Sequence, residues 1–286
     1  MNVHMPAWST VELDIMRAGL GFVVVVTFAG IQFFRPTGEP SHPVGIARFV
    51  DLRWTTSRTA VRWIQYVAYA GALSYAAGLA VPVAVCVLAA TTVVEVTLRS
   101  SYGSVNHGYH LLAIVLTAQA VAMLLWSAAE HWDWDLGVLL ASSRDATAAW
   151  WTVQAIVAVY FTSGISKLVN TRGRWIHDSP GLLLSAYGRI DTDRMSGQAS
   201  WGTSGRAAAQ VSWLLIHPVV TQCLFAAGLF IELTAPVGLL SETLLLLSGL
   251  ALIALHQGND RLLGLPFPEY QLLVLVYLVN VPQFFC

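Results

Sequence analysis

The chain has 286 residues, 56% of them hydrophobic and only 11% charged, with a mean hydropathy of +0.63. Soluble domains carry about 25% charged residues, so a water-soluble globular fold is excluded and most of the surface must face hydrocarbon. A net charge of −1 excludes a global attraction for nucleic acid.

The N-terminal stretch MNVHMPAWSTVELD lacks the basic region of a signal peptide, so the first apolar run is expected to remain as a helix. Eight segments are apolar over the roughly 17–25 residues that a bilayer demands: 15–34, 60–79, 81–98, 109–129, 148–168, 219–240, 242–257 and 268–284. The expected fold class is an all-α integral membrane protein with about eight transmembrane helices in one bundle. The longest polar stretch, 170–210, is rich in Gly, Ser and Arg. It reads as a loop with one amphipathic helix lying along the membrane. No internal repeat is evident.

Loop charge alternates along the chain. The 35–62 loop holds Arg35, Arg48, Arg53, Arg58 and Arg62, and Arg99 follows the third segment. Arg172, Arg174, Arg189, Arg194 and Arg206 follow the fifth, and Arg261 follows the seventh. The opposite loops are short or acidic, with Glu130, Asp133 and Asp135 dominating one of them. The positive-inside rule then makes the arginine-rich face cytoplasmic and puts both termini outside. The expected setting is a multi-pass protein of a bacterial cytoplasmic membrane, with the lipid bilayer as its first partner.

Cys86, Cys223 and Cys286 are far apart and form no CxxC pair, which argues against a disulfide framework or a metal knuckle. Cys86 and Cys223 fall in apolar runs and read as small core residues.

Fourteen of the 15 basic residues are arginine, and the other is Lys167. Composition drift can replace lysine by arginine wherever only charge matters. It cannot do so where the amine must lose its proton, because arginine stays charged. A desolvated lysine can become neutral near pH 7 and act as a base. The competing reading is a lysine that survived by chance on a solvated loop.

Three polar signals converge on the arginine-rich face: Asn106-His107 in SYGSVNHGYHLL, YFTSGISKL ending at Lys167 and Leu168, and LHQGNDRLLGLPF with His256. Ionisable residues at membrane depth are costly and face a cavity or a partner. Tyr160, Ser163, Gly164 and Lys167 share one stripe at i, i+3, i+4, i+7 spacing. Gly164 would let a helix or a flat ligand approach closely. The same stripe can also be plain helix packing with a snorkelling lysine. His4, His42 and His131 read as solvated, His110 as a support for His107, and His177 and His217 as candidates for substrate binding. The His107-x-x-His110 spacing lacks the third and fourth ligands that a metal site needs, so no metal is expected. Glu95 and Arg99 are expected to pair at i, i+4. Glu232 is either the partner of a buried cation or part of a proton path. Glu242 is expected to be solvated.

The stretches NHGYHLL, Y-F-x-x-G-I-x-K-L followed by Trp175, the acid at Glu232, and LHQGNDRLLGLPF resemble the membrane portion of the vitamin K-dependent gamma-carboxylase family, known as the horizontally transferred transmembrane (HTTM) domain. The resemblance runs over about 12–284 and implies a single transmembrane domain across residues 1–286. Family members of this type bind a quinol in the membrane. It implies Lys167 as the base toward the hydroquinone, and His107 with Asn106, and His256, at the quinone oxygens. Tyr160, Ser163, Gly164, Trp175 and Glu232 would line the cofactor site. The implied cofactor is a reduced quinone, vitamin K or menaquinone hydroquinone, with O2 and CO2 as co-substrates. Oxygen addition would give an epoxide and a strong alkoxide base, which in the carboxylase removes a proton from a glutamate side chain before carbon dioxide adds.

The chain departs from the family in ending right after its last apolar segment, where the carboxylase has a large extramembrane portion that holds its protein substrate. Here a peptide or a small molecule is the expected substrate. The carboxylase also works on the lumenal face, whereas loop charge here places the site inside. Rival expectations are a non-catalytic accessory for maturation or export of a secreted peptide, and a quinone-binding or permease-like protein.

Overall fold

The computed structural model describes residues 6–29, 44–50, 57–101, 107–132, 143–184, 205–263 and 267–284. Asn106, His4, His42, Cys286, Arg35, Arg53, Asp133, Asp135, Arg189 and Arg194 lie outside the described residues, as do the side chains of His107 and Arg206.

Among the described residues all regular structure is helical: α1 (Thr10–Ala29), α2 (Arg58–Ala76), α3 (Val81–Ser101), α4 (His107–Trp132), α5 (Arg144–Asn170), α6 (Gly205–Ile216), α7 (Pro218–Thr234), α8 (Glu242–Leu263) and α9 (Pro268–Tyr277). Short 3₁₀ turns at Gly45–Arg48, Ala235–Leu240 and Val281–Phe284 join or end them. Four helical segments are long and apolar enough to cross a membrane: Val81–Ser101, Tyr109–Trp132, Arg144–Asn170 and Pro218–Leu240. Each of the other four apolar segments also overlaps a helix.

The described residues divide into two compact units, 6–156 with 272–284, and Val157–Gln271. In the first unit, consecutive helices α1 to α4 pack side by side. The α1 helix opens with a capping box: the Ser9 backbone N–H donates to the Glu12 carboxylate at 2.7 Å, and the Glu12 N–H donates to Ser9 Oγ at 3.2 Å. Buried Gln65 of α2 donates to the Phe28 carbonyl, satisfying one of the orphan acceptors at the end of α1. The α2 helix stops because Gly78, at φ 71, closes a Schellman turn, with Gly78 N–H to the Tyr75 carbonyl and Leu79 N–H to the Ser74 carbonyl.

A polar network sits in the apolar interior of this unit. Tyr75 donates to Gln119 Oε1 at 2.7 Å, and Gln119 Nε2 donates to Thr152 at 2.7 Å and to Tyr277 at 3.2 Å. A polar group buried without partners is expensive, so the mutual satisfaction of these four side chains is what lets them sit there. The expected Glu95–Arg99 pair is formed and buried, and the Arg99 guanidinium lies 4.6 Å from the Tyr109 ring centroid.

In the second unit, α6, α7 and α8 pack against one another. Leu183, Val211 and Leu214 are buried together beneath Phe225 and Leu262. By contrast Val219, Val220, Leu224 and Phe230 of α7 are exposed, as an apolar helix bathed in lipid requires. Cys223 is exposed on this helix rather than part of a core. An apolar run looks the same in sequence whether it faces protein or hydrocarbon, which is why the expectation failed at that position.

Candidate functional site

The site is built on the last three turns of α5. Four residues of the stripe, Tyr160, Ser163, Gly164 and Lys167, share one face, and all lie in the Val157–Gln271 unit. Lys167 Nζ donates to both carboxylate oxygens of Glu232 on α7. Ser163 lies one turn before Lys167 on the same face of α5. The cation partner expected for Glu232 is present, in Lys167. The Glu232 side chain is 8% exposed and that of Lys167 26%, so the pair is shielded from the acid's side and approachable from the amine's.

Gly164 is what lets α7 come so near. A β-carbon built there would lie 3.0 Å from Leu233 Cδ2 and 3.3 Å from Glu232 Cβ. The helix end supplies another wall. Arg172, at φ 53, and Gly173, at φ 78, close a Schellman turn in which the Gly173 N–H reaches the Leu168 carbonyl at 2.8 Å and the Arg172 N–H reaches that of Val169 at 3.1 Å. This reverses the chain and brings Trp175 back, with its ring centroid 5.4 Å from Lys167 Nζ. An ammonium over an indole face is held by the ring quadrupole. Trp175 in turn packs on Phe225 of α7.

Two turns earlier on α5, buried Tyr160 shares a hydrogen bond with His256 Nε2 of α8. The imidazole is 5% exposed. Three rings surround it, with centroids 5.6 Å away for Tyr160, 5.5 Å for Phe267 and 5.2 Å for Tyr270. Its Nδ1 is buried and has no hydrogen-bond partner among the described residues. Gln257 donates to Gln271 at 2.6 Å, tying α8 to the start of α9 beside this cluster.

Side chains on a helix lean toward its N-terminus, so Lys167 reaches back toward the level of Ser163. His256 is level with Tyr160, about 10 Å of helix rise from the lysine α-carbon. The structure thus brings together Lys167, Glu232, Ser163, Gly164, Trp175, Tyr160 and His256. Asn106 lies outside the described residues, and His107 opens α4 in the other unit.

Other expected residues fall elsewhere. His177 is exposed and bonds Asp178 at 2.9 Å, and exposed His217 stacks on Trp213. His110 lies 3.3 Å from Ser100 Oγ. No group of three or more metal-ligating side chains occurs among the described residues.

Sequence reasoning missed Phe267 and Tyr270. The available signal was two aromatic residues alternating with prolines in LPFPEY, directly after the histidine element. Pro268 starts α9, where a missing N–H costs nothing, and this start delivers both rings to the imidazole.

The chemistry available is that of a proton shared between an amine and a carboxylate in a low-dielectric setting, next to an imidazole with one nitrogen uncommitted. A pair of this kind can exist as two ions or, by moving one proton, as neutral amine and neutral acid. Comparison with family models, with curated proteins and with solved structures finds no match.

Proposed function

We propose that the chain is a membrane enzyme that acts with a reduced quinone and oxygen, akin in its site to the vitamin K-dependent gamma-carboxylases. The observation that carries this reading is the lone lysine of the sequence, held against Glu232 and Trp175 beside an aromatic cluster that contains His256. The residues suit a flat, apolar ligand with weakly acidic hydroxyls: rings for its faces, a shielded base, and a buried nitrogen with no partner of its own.

Bound there, the quinol and oxygen supply a base strong enough to take a proton from carbon. Lys167 serves as the group that receives a hydroxyl proton. Glu232 makes this feasible by holding the proton of the ammonium, so that the amine is neutral when it acts. Trp175 holds the amine over its ring face. His256 holds one of the oxygens. Eight spans with both termini outside remain the topology of this proposal.

The test is Lys167→Arg, assayed for reduced-quinone turnover in membranes. Arginine keeps the charge and the partner Glu232 but does not deprotonate. Loss of a positioned base lowers turnover by about 100-fold or more; unchanged turnover rejects the reading. A second reading, a non-catalytic accessory, is favoured by the fact that Glu232 already accepts the amine's hydrogen bonds. It predicts full function in Lys167→Ala and a stable complex with a partner membrane protein or peptide.

A further inference from the structure

The hydrogen bond between Tyr160 and His256 leaves a proton to be accounted for. A neutral imidazole carries one N–H and a phenol one O–H. His256 Nε2 is 2.5 Å from the Tyr160 oxygen, and His256 Nδ1 is buried and without a partner among the described residues. If Nε2 carried the proton and donated to the phenol oxygen, both the phenol proton and the Nδ1 lone pair would be stranded. If instead the phenol donates to Nε2, only the Nδ1–H is left over. Buried polar groups are rarely left without partners, so the arrangement with a single orphan is favoured. The rings of Phe267 and Tyr270 have centroids 5.5 Å and 5.2 Å from that of the imidazole.

We propose that Tyr160 is a positioning residue that holds His256 as the Nδ1–H tautomer, so that the site presents a buried N–H donor to an acceptor oxygen of a flat aromatic ligand. The inference rests on the functional reading above only for the nature of that ligand. The tautomer itself follows from the two residues. It adds a specificity rule: a carbonyl or phenolate oxygen is accepted at this position, whereas a ligand group that can only donate is refused.

The test uses the full-length chain in lipid nanodiscs with 15N-labelled histidine, the His256 signals being assigned by their loss in His256→Gln. The expected spectrum has Nδ1 protonated and Nε2 bare. Tyr160→Phe, which removes the phenol and keeps the ring, is expected to move the population toward the Nε2–H form. Global replacement of tyrosine by 3-fluorotyrosine, which strengthens the phenol as a donor and spares the packing, is expected to shift the His256 Nε2 resonance, and it serves if the phenylalanine variant does not fold. A wild-type Nε2–H tautomer overturns the proposal, and so does a His256 signal indifferent to either change at tyrosine.

Titration with 2-methyl-1,4-naphthohydroquinone then separates the two levels. A downfield move of the Nδ1 proton on binding supports the donor role. Binding that leaves this proton unmoved overturns it. An intact Nδ1–H tautomer in a protein that does not bind the hydroquinone supports the role of Tyr160 and rejects the quinol reading instead.

Discussion

Gly164 on α5 lies so close to Leu233 on α7 that a β-carbon added there would sit 3.0 Å from the leucine Cδ2, which would have to give way slightly. The contact sits one turn from the Lys167–Glu232 pair, so packing and chemistry are linked at this point. In Gly164→Ala the gain in helix propensity, about 0.5–1 kcal/mol, offsets the push on the flexible Leu233 end, and stability in detergent changes by about 1 kcal/mol or less. In Gly164→Val the added bulk meets Glu232 Cβ as well, and overpacking costs about 1–3 kcal/mol. Thermal unfolding followed by circular dichroism measures both. A valine variant as stable as the wild type would show that α5 and α7 are not in this close contact.

Lys167 and Glu232 are expected to be coupled. Removing one member of a buried pair costs about 3–5 kcal/mol because the other charge is left behind, whereas replacing both with apolar groups is often nearly neutral. Lys167 is partly exposed, so Lys167→Met is expected at the low end of this range and Glu232→Leu above it. The double variant recovers most of the loss. A double-mutant cycle on unfolding free energies checks this, and strict additivity would mean that the two side chains do not depend on each other.

The sequence made the eight apolar segments legible as helices because hydropathy and helix formation coincide there. Helix ends were less legible. The α5 helix starts four residues before the expected 148, with the Ser143 hydroxyl accepting from the Ala146 N–H at 3.2 Å, and α8 continues six residues past 257 through the polar stretch QGNDRLL. Hydropathy marks where a chain can meet lipid, not where backbone hydrogen bonding stops. In the site, the stripe from Tyr160 to Lys167 followed from periodicity alone. That Glu232 would meet Lys167, and that Phe267 and Tyr270 would surround His256, depends on contacts between helices distant in sequence, which spacing within a single helix does not encode.

Glu12 gives an acid-side prediction. Partial burial works to raise its pKa, but the bonds from the Ser9 N–H, the Asn280 amide and the Ser9 hydroxyl prevail and hold it below its ordinary value. A carboxyl lowered in the folded state contributes stability that is complete above its unfolded value, about 4.3, and is lost as pH falls through the folded one. Wild-type protein is therefore expected to lose more stability below about pH 4.3 than Glu12→Gln, which does not titrate. Parallel acid-titration curves for the two proteins would show that Glu12 is not linked to folding.

The topology is open to a direct check across α5. In a cysteine-free background, His131→Cys is expected to react with a membrane-impermeant maleimide in intact cells, and Arg172→Cys only after the membrane is opened. The reverse pattern inverts the faces assigned by loop charge. Reaction of both in intact cells would mean that α5, among the four helices long enough to cross, stays on one side.

The pairing of Lys167 with Glu232 has an electrical consequence. A charge moved across a membrane exchanges about 2.3 kcal/mol with each 100 mV of potential. Two opposite charges held side by side carry none in total, and shifting a proton from one to the other displaces charge only over the length of a hydrogen bond. The voltage that an energised cell maintains therefore exerts little work on this step, and the proton passes from amine to carboxylate at nearly the same free energy in a polarised membrane as in a depolarised one.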